Sequence, residues 1–247
     1  MKVLIFILGA VIGSFINVCI SRIPQGESVV FPPSHCPKCG YNLKPLDLVP
    51  LLSFIWLKGR CRKCNTLISI RYPLVELLTG SIFVIVFLKF GLSHDLFFVY
   101  VLITCLIISA FIDLEYGIIP DEIIIPTVVL GAFLNILLHL ESFFDYLAGF
   151  LLGAGIILFI AFVSGGGMGG GDVKLFAAVG IFLGLDLTIL SILLAFISGS
   201  IVSIILIILN LKNIKDTIPF GPFIAFGSIF SLIFGHRIIL WYLNAFF

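Results

Sequence analysis

Long apolar runs, interrupted by few charged residues, constrain the fold of this chain more than any other feature. Of its 247 residues, 61% are hydrophobic and only 11% are charged, whereas soluble domains carry roughly 25% charged residues. One helix needs about 20 apolar residues to cross a bilayer. The candidate spans are residues 3–20, 73–90, 96–112, 122–140, 145–164, 173–184, 187–210 and 221–245. The predicted fold class is therefore an all-α polytopic membrane protein with about eight transmembrane helices.

The region 173–210 allows two interpretations, one long helix or two shorter ones. Gly180, Gly184 and Asp186 favour a tight turn between two helices, because glycine adopts turn conformations without steric cost. At the amino terminus, residues 1–20 contain one early lysine and no small-residue cleavage site. This pattern predicts a retained first span rather than a signal peptide.

The distribution of basic residues predicts the orientation. The polar insert at residues 21–72 carries eight of the 14 Lys and Arg residues, and Lys174, Lys212 and Lys215 fall on the same side of the predicted spans. Positively charged loops stay in the cytoplasm, so the insert is expected inside and the amino terminus outside. The net charge is only +1 and no basic run stands out, which excludes a basic nucleic-acid-binding surface.

Two C-x-x-C motifs lie in the insert, separated by 21 residues. Their cysteines are Cys36, Cys39, Cys61 and Cys64. Two such pairs can supply the four sulfur ligands of a tetrahedral zinc site. Disulfides, or four unrelated thiols, are the alternatives, but a reducing cytoplasm disfavours disulfides. The sequence therefore predicts a small zinc-ribbon-like insert whose zinc is structural, because no ligand position remains open for a catalytic water.

Two aspartates stand at the ends of predicted spans. Asp113 lies in SAFIDLEYGIIPD at the end of the third span, and Asp172 follows a glycine run at the start of the sixth. Ionisable groups in membrane spans are costly and indicate function, and the predicted topology puts both carboxylates at the cytoplasmic face. Two adjacent carboxylates share a proton and can act as acid and base. For Asp172 alone, a simple helix cap is an equally good interpretation.

A glycine run opens the stretch Gly165–Lys174, GGGMGGGDVK, and ends directly before Asp172. It does not match the phosphate-binding pattern G-x-x-x-x-G-K-[ST], so a nucleotide site is excluded. Glycines instead allow the backbone to turn tightly and to pass close to an extended substrate.

The sequence GMGGGDVK at Gly167–Lys174 matches the GxGD pattern of intramembrane aspartyl proteases and resembles that of the type IV prepilin peptidases. Further stretches resemble this family in the same order along nearly the whole chain. They are the paired C-x-x-C motifs, GSFINVCISRIP (Gly13–Pro24), RYPLVELLTG (Arg71–Gly80), IDLEYGIIPD (Ile112–Asp121) and PFGPFIAFG (Pro219–Gly227).

The resemblance implies a bacterial inner-membrane enzyme with two activities. It would remove a short basic leader from prepilin and pseudopilin precursors on the cytoplasmic side, in type IV pilus, type II secretion or competence systems. It would also N-methylate the new amino terminus with S-adenosylmethionine. Carried over by motif, Asp113 and Asp172 are the catalytic pair, and the four cysteines hold zinc. Gly59 and Glu76 are the candidates for the S-adenosylmethionine site.

The implied domains are the first helix at 1–20, the zinc-binding insert and methyltransferase region at 21–72, and the protease core at 73–247. A different class of function also fits the aspartates, namely a proton- or cation-coupled transporter that binds its ion at Asp113 and Asp172. Such a protein has no evident need for a four-cysteine insert. A noncatalytic zinc-bearing scaffold leaves the shared depth of the two carboxylates unexplained.

Overall fold

The computed structural model describes residues 1–165, 167–213 and 216–246. Gly166, which belongs to the glycine run, and Lys215, which contributes to the predicted charge asymmetry, lie outside the described residues, as do Ile214 and Phe247.

The regular structure of the described residues is α-helical, with three short 3₁₀ turns. The insert also contains two isolated β-bridges and irregular loops. The helices are α1 (Lys2–Arg22), α2 (Leu52–Trp56), α3 (Arg71–Phe90), α4 (His94–Tyr116), α5 (Asp121–Leu138), α6 (Phe143–Val163), α7 (Gly170–Ile208) and α8 (Gly221–Phe246). Among the described residues, seven of these helices are long and apolar enough to cross a membrane, and only the short α2 is not. The predicted all-α membrane fold is confirmed.

The chain forms two compact units, Met1–Leu96 and Phe97–Phe247. The division by role into 1–20, 21–72 and 73–247 stays a prediction. In the first unit, α1 packs antiparallel on α3 with almost no gap between the backbones. A Cβ added at Gly9 would lie 2.8 Å from Gly80 Cα, and one at Gly13 would lie 2.7 Å from Glu76 Cα. Small residues at such contacts let membrane helices approach closely.

In the second unit, α7 contains a reversal of the chain at Gly184, where φ is 73° and ψ is −177°. A Cβ added at Gly153 of α6 would lie 2.6 Å from the Phe176 carbonyl oxygen and 3.2 Å from Thr188 Cγ2. A straight helix would separate residues 176 and 188 by about 18 Å. The two parts of α7 therefore fold back on each other, and they correspond to the predicted spans 173–184 and 187–210. The described residues thus form eight apolar segments in seven long helices.

Asp145, at the start of α6, stabilises this reversal. Its Oδ1 accepts the Leu185 N–H at 3.3 Å, and its Oδ2 occupies the space that a side chain at position 184 would need. Only glycine fits there, because φ is positive and the carboxylate is already present. The carboxylate thereby caps the second part of α7.

Polar contacts join α8 to the second part of α7. Ser191 Oγ and Ser228 Oγ lie 2.8 Å apart, and Ser231 Oγ donates to the Leu187 carbonyl at 2.8 Å. All of these serines are fully buried. A Cβ at Gly227 would lie 2.6 Å from the Ser191 carbonyl oxygen. Small residues and interhelical hydrogen bonds thus hold the helices at short distance.

The contact at Gly153 allows a direct test of this packing. Gly153→Ala would place a methyl group 2.6 Å from a carbonyl oxygen of α7. We therefore expect α6 and α7 to move apart and the free energy of unfolding to fall by about 1–3 kcal/mol, as at other overpacked sites. Gly155→Ala, in the same helix, meets no atom within 4 Å and is the matched control. The measurement is the unfolding midpoint of each variant in detergent, and equal midpoints would contradict the packing described here.

Candidate functional site

Asp113 lies in the last turn of α4 and is 6% exposed. Its Oδ2 accepts the backbone N–H of Gly221, the first residue of α8, at 2.6 Å, and the carboxylate also accepts the Phe220 N–H. A Cβ at Gly221 would lie 2.9 Å from the same oxygen, so glycine is needed for this approach. The carboxylate of one helix end is thus held by the free N–H groups at the start of another.

Asp172 is the third residue of α7 and is 9% exposed. Its Oδ2 accepts the Gly169 N–H at 3.1 Å, so it does stabilise the helix start, as the cap interpretation expects. The carboxylates of Asp113 and Asp172 also lie close enough for their charges to interact. The structure therefore brings together, at one end of the second unit, the two carboxylates singled out in the sequence.

The loop between α4 and α5 packs on the start of α7. A Cβ at Gly171 would lie 2.9 Å from Ile119 Cβ, and Lys174 Nζ contacts both carboxylate oxygens of Asp121 at 2.7 Å. Pro120 occupies the N-cap position of α5. The Asp121 carboxylate that follows it binds the lysine, because the start of α7 brings Lys174 within its reach.

The four cysteines of the insert form one cluster in the first unit. All four sulfur atoms lie within 4.8 Å of one another, with 3.7 Å between Cys36 and Cys64 and 4.0 Å between Cys39 and Cys61. A tetrahedral site with Zn–S bonds of 2.3 Å separates its sulfurs by about 3.8 Å. The cluster can therefore hold a metal ion with little movement.

Both C-x-x-C turns have the same backbone geometry. The N–H of Cys36 bonds to the Tyr41 carbonyl at 2.9 Å, and the N–H of Cys61 bonds to the Thr66 carbonyl at 2.8 Å. The residue after each second cysteine has positive φ, 65° for Gly40 and 56° for Asn65. These tight turns point both thiols of each pair in one direction.

An ion pair between the half-exposed Arg62 and the buried Asp47 links the second turn to the segment that follows the first. Arg62, between the second pair of cysteines, contacts Asp47 Oδ1 with Nη2 at 2.6 Å and with Nε at 2.7 Å. Asp47 also accepts the Lys44 N–H at 3.1 Å and the Tyr41 hydroxyl at 3.4 Å. Burial favours the neutral acid, but Arg62 and the Lys44 N–H outweigh it and lower the pKa of Asp47. The ion pair is therefore kept near neutral pH and is lost only as acid protonates the carboxylate.

The thiols of the cluster differ in acidity. The Thr66 hydroxyl, 3.4 Å away, lowers the pKa of Cys64 to about 6. The Tyr41 N–H favours the Cys39 thiolate, but desolvation and the neighbouring thiols outweigh it and raise the pKa of Cys39 to about 11. A negative charge on one thiolate thus disfavours ionisation of the neighbouring thiol, as expected for like charges at short distance.

Glu76 of α3 holds the insert on the helix pair. It is 7% exposed, its Oε2 accepts the Leu51 N–H at 2.8 Å, and it also bonds to the Ser14 side chain of α1. Leu51 has φ of 62°, a costly conformation for leucine, and this bond fixes it. Gly59, the other candidate for cofactor binding, has φ of 66° and lies against the Phe54 ring. The two candidates flank α2 and have different neighbours.

Sequence reasoning missed three groups that shape these sites. They are the Gly221 N–H that binds Asp113, the Asp47–Arg62 pair in the insert, and Asp145 at the reversal. The first lies in PFGPFIAFG, a stretch noted only for its resemblance. The positive charge within the second C-x-x-C motif was the only sequence signal for the pair in the insert.

Comparison with known proteins agrees with this arrangement. Residues 7–90 match the model of the Bacterial Peptidase A24 N-terminal domain, and residues 100–204 match that of the Type IV leader peptidase family. A protein of Bacillus subtilis (strain 168), named Prepilin leader peptidase/N-methyltransferase, is 35% identical over 98% of this chain and 97% of its own length. Proteins of the same name from Aeromonas salmonicida (strain A449) and Myxococcus xanthus (strain DK1622) are 35% and 38% identical, over 98% and 81% of this chain and 93% and 61% of theirs. No solved structure matches the chain significantly. From these matches and the arrangement of its helices, cysteines and aspartates, this chain belongs to the type IV leader peptidase family.

Proposed function

We propose that this protein is an aspartyl endopeptidase that removes the basic leader from prepilin-like precursors, with Asp113 and Asp172 as its catalytic pair. The observation that carries the proposal is the interaction of two buried carboxylates at one end of the second unit. The helix starts supply N–H groups that hold them. Relatives that align over almost the whole chain are named for prepilin leader cleavage.

The chemistry follows from two carboxylates that share one proton. The ionised carboxylate accepts a proton from water as the water oxygen forms a bond to the scissile carbonyl carbon. The protonated carboxylate donates to the carbonyl oxygen. When the tetrahedral intermediate collapses, the carbon–nitrogen bond breaks and a proton passes to the departing amine. One water is consumed, an acid and an amine are produced, and no covalent enzyme intermediate forms.

We further propose that the protein lies in the bacterial inner membrane, with its amino terminus outside and the catalytic pair at the cytoplasmic face. The support is the distribution of Lys and Arg, most of which fall in the insert and in loops on its side, since positively charged loops stay in the cytoplasm. This orientation gives water access to the carboxylates. It also places the carboxylates on the side of the membrane where the basic leader of a precursor lies before export.

Substitution of the carboxylates tests the proposed chemistry. Asp113→Asn and Asp172→Asn each remove an ionisable group at nearly constant shape, so we expect leader cleavage to fall by at least three orders of magnitude, as when catalytic acids are lost. Asp145→Asn is the control, because Asn also caps helices. Asp145 lies at the start of α6, whereas the glycine run that leads to Asp172 follows the end of that helix. The measurement is the intact mass of a purified prepilin after incubation with each variant.

Cleavage by either of the first two variants would contradict the dyad. A folded wild type that cuts no prepilin, but binds or moves a cation in a manner that depends on Asp113 and Asp172, would favour the transporter alternative.

We propose that the cysteine cluster holds a structural Zn²⁺ ion. The sulfur separations match a tetrahedral four-sulfur site, and four protein ligands fill its coordination. Such an ion would fix the two turns of the insert, whose elements of regular structure are short. Binding and folding of the insert would then be coupled.

Metal analysis tests the zinc site. We expect about one zinc per chain in the wild type. We expect zinc to be lost from Cys61→Ser, together with faster proteolysis of the insert, because three thiolates hold the ion far more weakly. Cys105→Ser, in a buried position of α4, is the control and should retain the metal. Retention of stoichiometric zinc by Cys61→Ser would contradict the assignment.

We also propose that the chain methylates the new amino terminus of the cleaved precursor with S-adenosylmethionine, since relatives that align over 98% of the chain carry N-methyltransferase in their name. Gly59 and Glu76 stay our candidates for the cofactor site. They flank α2, and a carboxylate is the group that would balance the positive charges of the cofactor. The cofactor supplies the methyl group. The chain supplies the surface that orients it.

Glu76→Gln separates the two proposed activities. We expect the wild-type product to gain the mass of one CH₂ group when S-adenosylmethionine is added, and the Glu76→Gln product to lack this gain while the leader is still removed. Glu27→Gln, exposed in the insert, is the control. Zinc content and binding of radiolabelled cofactor should be measured on the same samples. Full methylation by Glu76→Gln would exclude this residue from the cofactor site.

A further inference from the structure

A cavity of about 400 Å³ opens between the second part of α7 and the start of α8. The rings of Phe196, Phe220 and Phe223 line it and form a packed aromatic wall, with centroids 5.1 Å apart for the first pair and 6.1 Å for the second. Gly199 lies behind these rings, since a Cβ there would come within 3.2 Å of Phe220. The exposed Ser200 stands at the rim. The wall suits a large apolar side chain.

This cavity adjoins the candidate active site. Phe220, one of its walls, and Gly221, the next residue, donate the N–H groups that hold Asp113. A second cavity, of about 460 Å³, shares Ser203 and Ile218 with the first and reaches Gly167 in the glycine run before Asp172. The two adjoining cavities form one groove, whose lining includes Phe220, which binds Asp113, and Gly167, which precedes Asp172 in the glycine run.

The polarity of the groove changes along its length. The second cavity contacts Ile207 near the end of α7 and the polar residues Asn213 and Asp216. The aromatic cavity reaches Phe196, which lies about 18 Å further along the helix from Ile208. Its lining there is largely apolar. A chain that is polar at one end and apolar at the other would fit the groove in one direction only.

The position of the cavity favours a peptide over a lipid chain. Phe220 forms part of the cavity wall, and its N–H binds the Asp113 carboxylate. An occupant of the cavity therefore lies beside a candidate catalytic group. A peptide would present a bond for that group to cleave, whereas an acyl chain has none.

We propose that the aromatic cavity is a substrate subsite that receives a large apolar side chain from the precursor segment that follows the scissile bond. This inference rests on the proposed peptidase function. The polar end of the groove then faces the leader, and the deeper aromatic end holds the membrane-embedded part. The subsite would position the scissile peptide beside Asp113, since Phe220 and Gly221 belong to both.

Photo-crosslinking identifies the occupant directly. The crosslinking residue p-benzoylphenylalanine is introduced at Phe223 in full-length protein that also carries Asp113→Asn, so that precursor binds without being cut. We expect irradiation to join it to the apolar segment of an added prepilin, as mapped by peptide mass. The same residue at Phe226, which is 52% exposed on α8 and does not line the cavity, is the control. Adducts at Phe223 with lipid or detergent alone would overturn the proposal.

Filling the cavity provides a second test in active protein. Ser200→Phe should raise the KM for a prepilin at least tenfold while kcat changes less than twofold. Val202→Phe, exposed on the same helix but outside the cavity, should change neither. An unchanged KM in Ser200→Phe would overturn the subsite. Cleavage by Asp113→Asn alone would instead refute the proposed catalytic pair, so the two failures are distinguishable.

Discussion

Direct contact between helix backbones at glycine is the constraint on which the rest of this structure depends. Apolar surface gains little by leaving lipid for another helix, so membrane helices associate through close packing and interhelical hydrogen bonds. Gly149 and Gly180 show the extreme case, since an added Cβ at either would collide with backbone atoms of the other helix. The contacts of Gly153 and Gly227 extend this packing along α7.

Such close packing determines where charged groups can lie. Asp113 and Asp172 are both buried, but each lies at the start of a helix, α8 for Asp113 and α7 for Asp172, where backbone N–H groups are free to bind a carboxylate. The same solution recurs at Asp145, which binds the Leu185 N–H at the reversal. These three carboxylates therefore lie where a helix starts or reverses, and two of them, Asp113 and Asp172, are buried there.

Features that depend on local sequence could be predicted. The apolar spans, the break at Gly184 and the pairing of C-x-x-C motifs are each encoded within a short stretch of the chain. The partner of Asp113 could not be predicted in this way, because Gly221 is 108 residues away and its approach depends on the packing of whole helices. The same holds for Lys174 and Asp121, which meet only because two loops converge.

The reversal at Gly184 also has a consequence for the depth of the polar groups. The first part of α7, residues 170–183, is about 21 Å long, roughly 9 Å less than the hydrocarbon core of an ordinary bilayer. Its residues from Leu175 to Gly184 are buried among the other helices, so protein rather than lipid surrounds this short segment. Both of its ends carry polar groups, Asp172 at one and the Asp145 cap at the other. The segment is too short to reach both boundaries of the hydrocarbon layer, so at least one of these polar ends lies inside the layer, where protein must supply its hydrogen-bond partners.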